Sequence, residues 1–224
     1  MIGHLTALAK AAAVYTVLAA MTICPDQAPA KVDLQFTNKP PVEHNDKSGA
    51  ELGNYHVSTT FSHSQNEIFT VGGLMLSKFE PHYKTRFGVV TDAEGLTECL
   101  SLYDVAITVD YAPEIYIASE AKTGSCRYTV TLQHEVRHVN TDIITFNEYL
   151  PQLKKAVEDA AATMKPLGPF DISRHKEMED VIFKAVEDSL AKKAGEIEQT
   201  RMNRQQMIDT RAEYLRGSKL CGGE

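Results

Sequence analysis

The apolar positions change period once along the chain. From Leu132 they fall at Val136, Val139, Ile143, Phe146, Leu150, Leu153, Val157, Ala160 and Met164, in steps of four and three without a slip. That spacing predicts one helix of about thirty-five residues, starting after Gly124-Ser125 and stopping before Pro166, Gly168 and Pro169. Pro151 is expected only to kink it, because the stripe keeps its phase on both sides. A second helix is expected from about Ser173, a candidate N-cap, to Arg216, with Met178, Ile182, Val186, Leu190, Ala194 and Ile197 on its apolar face. Two long helices joined by a Pro-Gly-Pro loop are expected to pack antiparallel.

Before Gly124 the period is two. Asp104 to Tyr111 alternates Val105, Ile107 and Val109, and Glu114 to Ser119 alternates Ile115 and Ile117, so an antiparallel hairpin turning at Ala112-Pro113 is expected. Shorter strand-like segments lie at Glu67 to Val71, Leu74 to Phe79 and Arg86 to Thr91, broken by Gly72-Gly73 and Pro81, with a short helical turn near Cys99. The run TNKPPVEHNDKSG from Thr37 to Gly49 has the composition of exposed chain, and residues 31–54 are expected to form an extended arm or linker. The folded body, residues 55–224, is then of the α+β class: a small antiparallel sheet from residues 55 to 120 packed on a long antiparallel helical hairpin.

Composition adds a compartment to this picture. With 43% hydrophobic and 24% charged residues in 224, the chain is long enough for a substantial core. Residues 1–30 read as a signal peptide: Ala11 to Ile23 is apolar but for two threonines, and Ala28-Pro29-Ala30 is a small-x-small cleavage signal before Lys31. The apolar run falls short of the roughly twenty residues of a spanning helix. Acylation at Cys24 is disfavoured because Met21-Thr22-Ile23 lacks the small residues that usually precede a lipidated cysteine. The mature protein is therefore expected to be secreted or periplasmic, with no membrane association. It would keep Cys99, Cys126 and Cys221, giving one disulfide and one free thiol, with Cys126 to Cys221 favoured because the hairpin brings those helix ends together. A net charge of −7 argues against nucleic acid or anionic membrane as a partner.

The candidate chemistry is His134-Glu135-Val136-Arg137-His138, an HExxH motif. Histidines four apart share one helix face, so both can reach one Zn²⁺ while Glu135 stands beside it as a base. With 8 histidines in 224 residues, composition alone yields this pattern on the order of 0.02 times. Both histidines lie about 150° from the centre of the apolar stripe, so they are not expected to fill a helix interface; the expectation is that their face closes against the preceding strands. The third ligand is open at this stage. Asp142, one turn beyond His138, is the nearest carboxylate; His56, His63, His82, Glu196 and Glu198 are equally available. Glu158 has a suitable spacing in sequence, but on a continuous helix it lies about 30 Å away.

Strand, short loop, then a helix carrying HExxH resembles the zincin metalloproteases. The runs SCRYTVTLQHEVRHVNTDI and IDTRAEYLRGSKLC are similar to a family of uncharacterised secreted bacterial proteins taken to be zinc-dependent proteases. The resemblance implies that His134 and His138 bind zinc and that Glu135 activates a zinc-bound water. It also implies that Ile115 to Ser119 is the edge strand that pairs with an extended peptide or protein substrate. The extended pattern HExxHxxGxxH is absent, since Val139, Asn140, Thr141 and Asp142 follow His138. Tyr128, Tyr149 and Arg137 are candidates to stabilise an oxyanion. The alternative is an exported, non-catalytic helical-hairpin interaction module whose metal site is structural or vestigial.

Overall fold

The computed structural model describes residues 22–55 and 71–222. In chain order the elements are β1 (Lys31–Asn38), β2 (Val42–His44), α1 (Gly49–Leu52), β3 (Gly73–Leu76), β4 (His82–Thr91), β5 (Thr97–Tyr111), β6 (Glu114–Ile117), α2 (Cys126–Thr163), β7 (Leu167–Asp171), a 3-10 turn (Ile172–Arg174), α3 (His175–Gln206) and α4 (Arg211–Leu220). The class is mixed α and β, as expected. The sheets differ from expectation, because there are two and each contains a parallel pair.

β5 is the spine of the first sheet. Along its C-terminal half it pairs in parallel with β1, from Lys31 opposite Asp104 to Asn38 opposite Tyr111. β4 lies antiparallel on its other side, and β7 pairs with its first residues. Alternation gives β5 one buried face, with Val105, Ile107, Val109 and Tyr111 in the core and Ala106, Thr108 and Asp110 exposed. The second sheet has the order β2-β6-β3, with β2 parallel and β3 antiparallel to the central β6.

β5 and β6 are therefore not a hairpin. A two-residue reversal needs positive φ in its loop, and no described non-glycine residue has it. Instead the chain carries on through Ala112-Pro113 into the second sheet. The β1–β2 segment crosses beside it through Pro40-Pro41, tied by Lys39 N–H to Tyr111 O at 2.9 Å and Val42 N–H to Pro113 O at 3.1 Å. Prolines at 40, 41 and 113 have no N–H to continue a ladder, which divides what would be one parallel ribbon into two sheets.

Residues 31–54, expected as an arm or linker, are built into the fold as β1, β2 and α1. Val32, Leu34 and Phe36 alternate toward the core, and the polar composition farther on belongs to the crossing and to the Ser48 cap of α1. Cys99, expected in a helical turn, lies in β5 and forms a disulfide with Cys24. The expected single disulfide and free thiol are thus replaced by two disulfides, Cys24–Cys99 and the expected Cys126–Cys221. Gln27 accepts a hydrogen bond from the Ser101 hydroxyl, so residues before Lys31 are part of the body. Cleavage after Ala30 would remove Cys24 and with it the Cys24–Cys99 disulfide. The strand expected at Glu67 to Val71 falls, but for Val71, outside the described residues. His56 and His63 also lie outside them.

The Ser125 hydroxyl caps α2 by accepting Tyr128 N–H at 3.1 Å, and the helix continues through Pro151. Its buried positions form two stripes. Val139, Phe146, Leu150, Leu153, Val157 and Ala161 join Ile182, Val186, Leu190 and Ile197 of α3 in one core with β5. Glu135, His138, Asp142 and Thr145, spaced three, four and three, form a second, polar stripe. The long second helix expected to reach Arg216 ends instead at Gln206, and α4 begins after Thr210, whose hydroxyl accepts Glu213 N–H at 3.3 Å. A Thr cap offers the backbone an alternative to continuing the helix, and here it ends the run. No helix among the described residues is long and apolar enough to cross a membrane. Two disulfides fit an oxidising compartment.

Peptide mapping without reduction should recover the Cys24–Cys99 and Cys126–Cys221 pairs and no others. Removing Cys126–Cys221, which closes a 95-residue separation, should cost up to about 4–5 kcal/mol in the chain-entropy account of disulfides, read by denaturant unfolding.

Candidate metal centre

The polar stripe of α2 carries the HExxH residues into the interior. His138 and Glu135 are buried, and His134, at the stripe's outer edge, is partly buried. β3 covers this face on one side, as expected from the sequence. The end of α3 and the α3–α4 break cover it on the other. Asp209 sits in that break, 8% exposed, and completes the group. Its Oδ1 lies 3.0 Å from His134 Nε2 and 3.1 Å from His138 Nε2, and the two Nε2 atoms are 3.1 Å apart. A tetrahedral ion with bonds of about 2.0–2.1 Å holds its donors about 3.3 Å apart, so this triangle fits three ligands of one ion and leaves a fourth position open. The His134–His138–Asp209 group could therefore hold a metal ion.

The remaining ring nitrogens are also engaged. His138 Nδ1 bonds Gln205 Oε1. His134 Nδ1 has the Arg137 guanidinium at 3.1 Å and Glu213 Oε1 at 3.7 Å. Arginine can only donate, so Nδ1 is the acceptor here and the ring hydrogen lies on Nε2 toward Asp209. Glu213 is itself bound by Arg137 and Arg216, which hold its carboxyl well below the usual carboxylate range. Burial would raise Asp209, but hydrogen bonds from His134 and His138 outweigh it and lower its pKa to about 2. Burial would lower His138, but the bond and charge of Asp209 outweigh it, and its pKa is raised. Such coupled groups would exchange protons for a metal ion, so any occupancy would fall as the pH drops.

Glu135 coordinates nothing in this arrangement. It is 4% exposed, and burial pushes its carboxyl up to about 7 against the opposing pull of the two histidines. Met75 of β3 donates its backbone N–H to it. The strand comes this close because position 73 is glycine: a Cβ there would lie 2.5 Å from Thr131 Cγ2 and 2.6 Å from Glu135 Oε1.

Asp142, the nearest carboxylate in sequence, is not brought to the histidine Nε2 atoms. It points into the seam with α3, where Arg201 Nε donates to it at 2.8 Å. His82 is exposed on β4. Glu196 is exposed and bonded to Lys193, and Glu198 is bonded to Arg201. Glu158 is exposed beside Lys154. Tyr128 bonds Glu43, and Tyr149 lies under the Arg204 guanidinium, so neither reaches the centre. Arg137 does, through His134. Tyr214, not singled out from sequence, donates its hydroxyl to Asp209 Oδ1 at 3.3 Å. β6, expected as the edge strand, is central, and among the described residues the edges of this sheet are β2 and β3. The signal that could have found Asp209 is the Thr210-x-x-Glu213 cap, which marks a helix start just after it. No protein-family model, curated protein or solved structure matches this chain.

Because its pKa is raised in the fold, Glu135 contributes stability that is fully present below its ordinary 4.5 and lost as the pH rises through about 7. In chelator-treated protein, Glu135→Gln should gain on the parent across that window, by up to about 3 kcal/mol at pH values near 8. Urea unfolding at both ends of the range checks this; a difference independent of pH would show that Glu135 is not a buried neutral acid.

Proposed function

We propose that the protein is a secreted zinc-dependent peptidase of the zincin type. The observation that carries this reading is the number of donors: three protein atoms converge on one point, with a carboxyl poised near neutrality beside them. Structural zinc sites are closed by four protein ligands, whereas catalytic sites use three and keep one position for water or substrate. His134, His138 and Asp209 would hold the ion. When bound, zinc supplies Lewis-acid polarisation of a carbonyl and a water acidic enough to ionise at neutral pH.

The chain's own residues supply the rest. A carboxyl with a pKa of about 7 accepts a proton and returns it with little cost at neutral pH, which suits Glu135 to general base and then general acid. Arg137 and Tyr214 place side-chain donors against His134 and Asp209. β3 has one strand neighbour among the described residues, and its free edge runs past Glu135. An extended peptide added to that edge would present its carbonyls to the centre.

A second reading, a structural metal in a non-catalytic module, is favoured by the burial of Glu135, His138 and Asp209 at 4%, 5% and 8%. Zinc analysis with a peptide-cleavage assay separates the two. The parent should carry one zinc, and His134→Ala, His138→Ala and Asp209→Ala should each lose it. Glu135→Gln should keep zinc and lose about 10²–10⁴-fold in cleavage of mixed denatured peptides. Undiminished cleavage by Glu135→Gln would remove the mechanism, and stoichiometric zinc without any cleavage would establish the structural reading.

A further inference from the structure

Gln205, 2% exposed near the end of α3, touches the centre without being one of its three donors. Its Oε1 meets His138 Nδ1, and its Nε2 donates to the His138 carbonyl at 3.0 Å and to Asp142 Oδ1. Asp142 is fully buried and accepts from every side: Arg201 Nε at 2.8 Å, the Ser77 hydroxyl at 2.9 Å and the Tyr111 hydroxyl at 3.1 Å. A carboxylate held by a guanidinium and two hydroxyls has only acceptor capacity to offer. Gln205 must therefore turn its NH₂ toward Asp142 and its oxygen toward His138. An amide oxygen cannot donate, so Nδ1 must carry a hydrogen, and the nitrogen left to meet a metal is Nε2, where an ion would replace the hydrogen now shared with Asp209.

We propose that Gln205, locked by Asp142, is a positioning residue that fixes the tautomer and ring angle of His138 for metal binding. The inference rests on reading His134, His138 and Asp209 as a metal centre. It assigns the buried Asp142–Arg201–Ser77–Tyr111 cluster a role: this cluster orients the amide, and the amide orients the ligand. The arrangement spans four elements or their flanks, since Ser77 follows β3, Tyr111 ends β5, Asp142 lies on α2, and Arg201 and Gln205 lie on α3.

Two measurements test it. In zinc-loaded parent protein labelled with ¹⁵N histidine, His138 should carry its proton on Nδ1 and hold the metal through Nε2; a proton on Nε2 would overturn the proposal. In chelator competition, Gln205→Leu should bind zinc about 10–100-fold more weakly than the parent. The control is Arg204→Ala, which removes another link between α2 and α3, to Thr145 and Glu148, without touching His138. It should lower stability and leave zinc affinity unchanged. Equal affinity in Gln205→Leu and the parent, or equal weakening in Arg204→Ala, would show that Gln205 only fastens the helices. A parent that retains no zinc would overturn the metal reading and the proposal with it, whereas a zinc-binding parent matched by Gln205→Leu overturns the proposal alone.

Discussion

A carboxylate with no exposure to water is the constraint around which the centre of this molecule is arranged. Asp142 would be strongly unfavourable in the interior without compensation, and the fold answers with a guanidinium, an amide and two hydroxyls drawn from well-separated parts of the sequence. Breaking such a buried pair by removing one partner typically costs about 3–5 kcal/mol, while replacing the whole group by apolar residues can be neutral. Net stability is therefore a weak explanation for keeping it. What the cluster supplies is register. Arg201 and Gln205 can satisfy Asp142 only if α3 lies at one height along α2, and that height decides where the chain leaves α3 and where Asp209 arrives.

The helical half of the molecule was legible because its information is local. An unbroken three-and-four pattern and the Ser125 cap predict α2 closely, and Pro151 sits inside it as expected. The disulfide between Cys126 and Cys221 follows from the lengths of the two helical segments. The strands were legible as strands, but their partners were not. Alternation in 104–111 and 114–119 says that each segment is half-buried, and it carries no information about whether the chain between them reverses. Pairing of β1 with β5 joins residues 73 apart, beginning with Lys31 and Asp104, and nothing near either one announces it.

The centre divides in the same way. His134, Glu135 and His138 share a helical turn, so their spacing is itself a geometric statement. Asp209 lies 71 residues beyond His138 and reaches it only through the packing of two helices and a break between two others. Asp142 misled because proximity along a helix is a good guide to who is near and a poor guide to direction. Its side chain belongs to the polar stripe that faces α3, and there a cation outcompetes any other claim on it. The stripe itself, Glu135, His138, Asp142 and Thr145, is a run of buried polar residues beside the apolar one, and such a run reads from sequence as a solvated face until a second helix is laid over it.

The break at residues 207–210 gives the centre an order of assembly. A chain synthesised only as far as α3 holds two histidines on a finished helix and no carboxylate to complete them. The donor that closes the triangle, Asp209, comes from the segment that follows α3. The segment that follows it is fastened back to the first residue of α2 through Cys221. A metal ion held by His134, His138 and Asp209 would therefore need the segment after α3 in place, so a chain stopped at α3 would offer two of the three donors.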